Sequence, residues 1–386
     1  MRDNQIQLAR GIAVLFDALV GTDAGATAAH SLHVAAISQD LGTPGSELPS
    51  CADSDVGDDG LLNPIRYGQA IRAHEPWTTV PAGVLPSRCR NDPVQYPSFL
   101  TFDAGSSSTT DLHEDFVCVV PFGGGGCGLE QQFEAAYRAL VVHDAHDRPG
   151  NDDPNAGFVR DGAVLAILIL SDEEDGSVRD CRHAEPGVAC IDATSVFDST
   201  SAAWASIDLN LRDYVYTPGS AQDPTWPLDR YVDPTNLRRG FPSLKPGAPE
   251  LVIFAGIVGM PMFPPRTRSG GLDWDALLGT SPDGRDGFVG DSAEGPVSMR
   301  QANMDPNCIT RVMPSCRREG STYDPAMPPC NTTSQYFAWP SRRIVQVART
   351  FEETWGNGTV SSICRNDYGD ALAALARRIT ARFCAR

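Results

Sequence analysis

The chain reads as α/β, built on a doubly wound, mostly parallel sheet with helices on both faces and long loop insertions. Two segments, Ala163–Leu170 and Leu251–Gly259, are apolar without alternation, the pattern of strands buried on both faces. The first stops abruptly on Ser171-Asp172-Glu173-Glu174-Asp175 and the second on Met260-Pro261. Helical periodicity returns between the strands, and strands alternating with helices favour a parallel sheet.

The 386 residues are organised as one domain with three insertions, at about 44–110, 176–249 and 262–340. Hydrophobic content of 41% is enough for a full core. The net charge is −18, from 31 basic and 49 acidic residues. That balance excludes nucleic acid and anionic membrane surfaces as partners and favours cations. Lys245 is the single lysine, which reads as the codon bias of a GC-rich genome.

Eleven cysteines without a Cys-x-x-Cys pair read as disulfides formed in an oxidising compartment. The short spacings Cys118/Cys127, Cys181/Cys190 and Cys308/Cys316 suggest closed loops, with the first two as the expected bridges. Neither an export signal nor a membrane span is visible. The chain as given is therefore expected to lack its true N-terminus.

In order, residues 4–20 predict an amphipathic helix with Leu8, Ile12, Leu15, Phe16 and Leu19 on one face. Ser31–Ser38 reads as a strand. Asp53, Asp55, Asp58 and Asp59 resemble a calcium loop but lack the EF-hand spacing, so a solvated turn is expected. Ser98–Phe102 is a short strand. Asp111, placed to cap, opens a helix to Val120, and Leu129–Val142 forms another. Beyond the insertions, Ile344, Val345, Ala348 and Phe351 mark a helix, Gly356-Asn357-Gly358 a turn, and Thr359–Cys364 an edge strand. Asp367 then caps a last helix whose inner face is Ala371, Leu372, Leu375, Ile379 and Phe383.

The acidic run after Leu170 is the strongest chemical signal. Ligands of open α/β sheets sit outside the carboxyl ends of the strands, and carboxylates there suit hard cations. Asp172 and Asp175 are the candidate metal ligands, for Mg²⁺ or Mn²⁺, with Ca²⁺ also possible. Other motifs are weaker. Gly123, Gly125 and Gly128 match a dinucleotide fingerprint, but the preceding segment is helical in period and four consecutive glycines make the match nearly automatic. His30 and Ser292 sit in segments similar to chymotrypsin-like histidine and serine motifs, although that family is all-β. A secreted hydrolase using these two residues is the alternative function. His143 and His146 could ligate a metal at i, i+3, though a helix end beside Asp144 and Asp147 more often leaves histidines solvated.

Four stretches, in this order, carry a family resemblance: Gly126-Cys127-Gly128-Leu129-Glu130-Gln131, Asn155–Arg160, Ile169–Asp175 and Ser362-Ile363-Cys364. Together they resemble the von Willebrand factor A (vWA) fold, in a myxobacterial-type branch of exported or lipid-anchored surface proteins. The resemblance implies a metal-ion-dependent adhesion site built from an Asp-x-Ser-x-Ser on the first strand, a Thr and a later Asp. Asp172 matches the last. The Thr position falls in Phe122–Gly126, which holds only glycine after Phe122, and the Asp-x-Ser-x-Ser is absent. The family's first strand is thus expected to lie ahead of Met1. Without it, Ser31–Ser38 and Ala163–Leu170 should face each other across a gap, with buried backbone groups unpaired at about 1–3 kcal/mol each, and Mg²⁺ should bind poorly.

The expected function is binding or adhesion outside the cytoplasm, without catalysis, toward a protein or surface ligand. Contact with a membrane would come only through a lipid anchor that this chain does not contain.

Overall fold

The computed structural model describes residues 2–20, 29–43, 54–63, 96–120, 126–182, 223–278 and 337–383. Short pieces add 65–66, 69–70, 184, 188–191, 289–290, 297–298 and 315–317. The main elements are α1 (Arg2–Val20), β1 (Ser31–Val34), β2 (Leu100–Asp103), α2 (Thr109–Val119), α3 (Gln132–Tyr137) and β3 (Leu165–Ser171). After these come β4 (Val252–Val258), α4 (Arg342–Trp355), β5 (Gly358–Ser362) and α5 (Gly369–Phe383). The protein is α/β: helices and strands are mixed around a three-stranded parallel sheet of order β5–β4–β3.

In that sheet Leu165 pairs with Val252, Ser171 with Val258, and Gly358 with Phe254. All seven residues of β4 are buried, as its uninterrupted apolar sequence requires. Val252, Phe254 and Val258 enter one core with α4, while Ile253, Ala255 and Ile257 enter another with α1, α2 and α5.

β3 departs from expectation. Its sequence predicts burial on both faces, yet Leu165, Ile167 and Ile169 are buried while Ala166 is exposed. The physical reason is pairing: among the described residues β3 bonds only to β4, so it is an edge strand and its other edge borders a cavity. β1 pairs antiparallel with β2, Ser31 opposite Asp103, and not with β3. It ends at Val34, short of the expected Ser38, because Ala36 turns to exchange hydrogen bonds with Asn63.

Local signals explain the helix ends. Ser108, not Asp111, caps α2, accepting from Asp111 N at 3.3 Å, and Asp111 occupies the first turn. Asp367 accepts from Gly369 N at the start of α5 (2.8 Å). Gly356 ends α4 in the left-handed region (φ 68°), where a Cβ would be strained. α3 begins at Gln132 rather than Leu129 and continues as a π turn over Arg138–Val142.

The described part of the 176–249 insertion is core rather than loop: Trp226, Tyr231, Val232, Phe241 and Leu244 are buried in the α4-side core. The acidic run is a turn over residues 54–60 with Asp55 exposed, as expected, but its last two carboxylates are anchored rather than freely solvated. Asp58 is buried and accepts from Ser38 Oγ, and Asp59 accepts from Arg138 Nε (2.6 Å); Asp53 lies outside the described residues. Cys181–Cys190 forms as expected. Cys118 and Cys127 are both disulfide-bonded, but no bridge between described residues joins them. Cys316 bonds Cys364 rather than Cys308, tying a distant segment to the end of β5; Cys308 lies outside the described residues. Sequence spacing favours near partners, whereas the fold brings far ones together.

Phe254 stacks on Phe351 with ring centroids 5.5 Å apart and is fully buried. Phe254→Ala is expected to lower unfolding free energy by about 3–5 kcal/mol, measured by urea titration of the oxidised protein.

Candidate metal centre at the carboxyl edge of the sheet

The acidic run after β3 divides by direction. Glu174 and Asp175 turn inward and are buried. Glu174 accepts from Arg342 N and Arg343 N, each at 3.0 Å, so its carboxylate sits on the N-terminus of α4, where the helix dipole favours a negative charge. Burial nevertheless pushes its pKa up, against the pull of Arg342 and Arg343. Asp175 accepts from Arg343 Nε (3.0 Å), Phe133 N (2.8 Å) and Ser177 Oγ (2.6 Å). Every one of these bonds is structural, and Asp175 is not in the acidic cluster that follows.

Asp172 and Glu173 remain at the edge. With Glu130, which precedes α3, they can each offer an oxygen within 4.8 Å of the others. Ser171 Oγ donates to Glu130 Oε2 (2.6 Å) and accepts from Gln132 Nε2 (2.7 Å), which also donates to Glu130 Oε2 (2.8 Å). Gln132 is buried, and its Oε1 has no hydrogen-bond partner. A buried amide oxygen left unpaired is costly, and this one belongs to a side chain already bonded to the cluster. The loop is held still from behind, because Trp339 N donates to Asp172 O (2.7 Å) and Ser341 Oγ to Glu173 O (2.7 Å).

Glu130 is strongly perturbed. Desolvation, then the charge of Asp172, push its pKa up to about 8, while the hydrogen bond from Ser171 pulls the other way. Near neutrality it holds a proton that a cation would displace. The donors are all oxygens, which fits a hard divalent cation.

The remaining candidates do not converge on this cluster. His30 is exposed just before β1, at the amino end of the strands, and Ser292 lies outside the described residues, as do Gly123 and Gly125. His143 Nε2 bonds Asp59 O (2.8 Å), whereas His146 Nδ1 bonds Asp144 Oδ1 (3.0 Å). The two histidines therefore serve different partners. Glu130, Gln132 and Glu173 were not singled out as ligands from sequence. The Glu-Gln-Gln entry to α3 was the available signal, and only the fold shows that it meets the end of β3.

Comparison with protein-family models, curated proteins and solved structures finds no match to this chain. No helix among the described residues is long and apolar enough to cross a membrane. The two bridges between described residues are compatible with an extracytoplasmic location.

Glu130 also makes stability depend on pH. Its folded pKa of about 8 exceeds the ordinary 4.5, so the folded state keeps a proton that the unfolded chain releases. The advantage is complete below the unfolded value and is lost as pH rises through the folded one. In a chelator, wild type is expected to lose up to roughly 4 kcal/mol relative to Glu130→Gln between pH 5 and pH 9. Paired urea titrations across that range measure it.

Proposed function

We propose that this chain is an extracytoplasmic, vWA-like binding protein on a doubly wound sheet. It engages a protein or surface ligand through a divalent cation at the carboxyl edge. Mg²⁺ or Mn²⁺ is the preferred ion, with Ca²⁺ as a further hard cation. The reading is supported by a parallel sheet with cores on both faces and by an oxygen-only donor set at the edge where α/β sheets place ligands. The observation that carries it is the buried, unpartnered Gln132 Oε1 beside Glu130, Asp172 and Glu173.

Glu130, Asp172 and Glu173 would hold the ion, with Ser171 Oγ and the Gln132 amide bonded to Glu130 behind them. Asp175, expected as a ligand, instead fixes the loop that presents Asp172 and Glu173. A bound cation supplies a Lewis-acidic position to which an oxygen of the partner can add. Nothing in this role needs a nucleophile or a general base. The binding surface is the rim around the cluster, held by α4 from behind.

Isothermal titration with MnCl₂ and MgCl₂ at pH 8 tests the reading on wild type, Asp172→Ala and Glu130→Gln. Weak binding is expected, with Kd roughly in the millimolar range typical of sparse oxygen sites. Both variants should weaken it at least tenfold. Equal heats in wild type and Asp172→Ala would place the ion elsewhere and remove the reading.

A further inference from the structure

β5 has one partnered edge and one open edge. It bonds to β4 and, among the described residues, to no other strand. Phe254 N donates to Asn357 O (3.0 Å) and Ile363 N to Val258 O (2.9 Å), which fixes the alternation of the ladder. Residues 359 and 361 direct their backbone groups at β4, and Val360, the middle residue, directs its N–H and C=O outward. All five residues of β5 line a groove of about 700 Å³. No residue of β4 lines it, so the groove runs along the outer edge. Asp370, Ala374, Arg377 and Ala381, one stripe of α5, line it as well.

α5 runs antiparallel to this edge. Arg378 Nη1 donates to Gly356 O (2.7 Å) ahead of β5, and Tyr368 Oη donates to Ile363 O (2.9 Å) beyond it. Ala374, near the middle of that span, is therefore level with Val360. Asp370 stands one helical turn before Ala374 and Arg377 one turn after it, on the same face. Both are exposed, and among the described residues neither side chain makes a hydrogen bond or ion pair. An acid and a base thus flank the midpoint of the groove, each without a partner of its own.

This arrangement is complementary to itself. In an antiparallel pair, two directly opposed residues exchange both of their backbone bonds, so Val360 fits its own counterpart in a second copy. The two-fold axis relating two such strands also passes Ala374, and a two-fold interface brings each patch onto its own copy. Asp370 of each α5 then meets Arg377 of the other. We infer that the outer edge of β5 is a homodimer interface, in which two copies pair antiparallel through β5 with α5 against α5. The two three-stranded sheets become one of six strands. The new ion pairs act against the mutual repulsion of two chains of net charge −18. Antiparallel pairing points the two carboxyl edges in opposite directions, so the interface leaves both cation clusters open and does not need the ion.

Sedimentation velocity of the oxidised protein in EDTA tests this, so that failure of the cation reading leaves the result untouched. The mass is expected to rise from 41.4 kDa toward twice that value, with a dimer Kd on the order of 10 µM for so small an interface. Asp370→Arg and Arg377→Asp, which set like charges across the axis, should each weaken dimerisation at least tenfold. An equimolar mixture of the two variants restores both opposite-charge pairs and should sediment as dimer with roughly the wild-type Kd. Both side chains are exposed, so circular dichroism should show the wild-type fold in each variant. Wild type that stays monomeric at about twenty times that Kd would overturn the inference. So would a dimer that the single variants leave intact, or a mixture that stays monomeric.

Discussion

Two carboxylates fix the geometry of this molecule. Glu174 and Asp175 leave the end of β3 and enter the protein, where an isolated charge would be prohibitively costly. They are tolerated because each meets several donors at once. Glu174 takes the first amides of α4, and Asp175 takes Arg343 and the second residue of α3. Arg343 also reaches Thr225 and Trp226. One four-residue turn thereby sets β3, α3, α4 and the 223–249 segment in a single arrangement. The start of α4 is fixed by that turn and by Ser341, which exchanges hydrogen bonds with Gly259 just beyond β4.

The same arrangement continues at the next residue of α3. Glu134 is buried and pairs in a fork with Arg230, whose guanidinium lies between the rings of Tyr137 and Trp226, 4.2 Å from each. Tyr231 donates to the same carboxylate at 3.0 Å. A segment that looks like an insertion is thus bound into the core by charge as well as by aromatic area. The outward-facing Asp172 and Glu173 can remain at the edge because Glu174 and Asp175 hold the backbone beneath them.

What sequence could and could not reveal follows from range. The runs Ala163–Leu170 and Leu251–Gly259 announce strands because burial acts on each residue in place, and the caps at Asp367 and Gly356 are equally local. The acidic edge was visible for the same reason. Its inner division was not: Asp172 and Asp175 are chemically identical, and only the position of Arg343, far along the chain, separates a surface carboxylate from a buried one. Glu130 enters the cluster through tertiary contact with Ser171. Cys316 finding Cys364 across 48 residues, and Ala166 lying exposed within an apolar run, depend likewise on which elements become neighbours.

One face of β4 sets Phe254 among aromatic rings and the other carries Ile253, Ala255 and Ile257, and this makes the sheet intolerant of misalignment. Phe254 stands between Phe241 and Phe351, at 6.4 and 5.5 Å, while its neighbours Ile253 and Ala255 face α5 and α1. Sliding β4 by one position would send every side chain to the opposite face. The small Ala255 would then stand where a phenyl ring is needed, and the ring would be forced among the packed side chains of α1 and α5. The unequal sizes of alternate residues therefore proofread the pairing of β3, β4 and β5, a task that hydrogen bonds between identical backbones cannot perform.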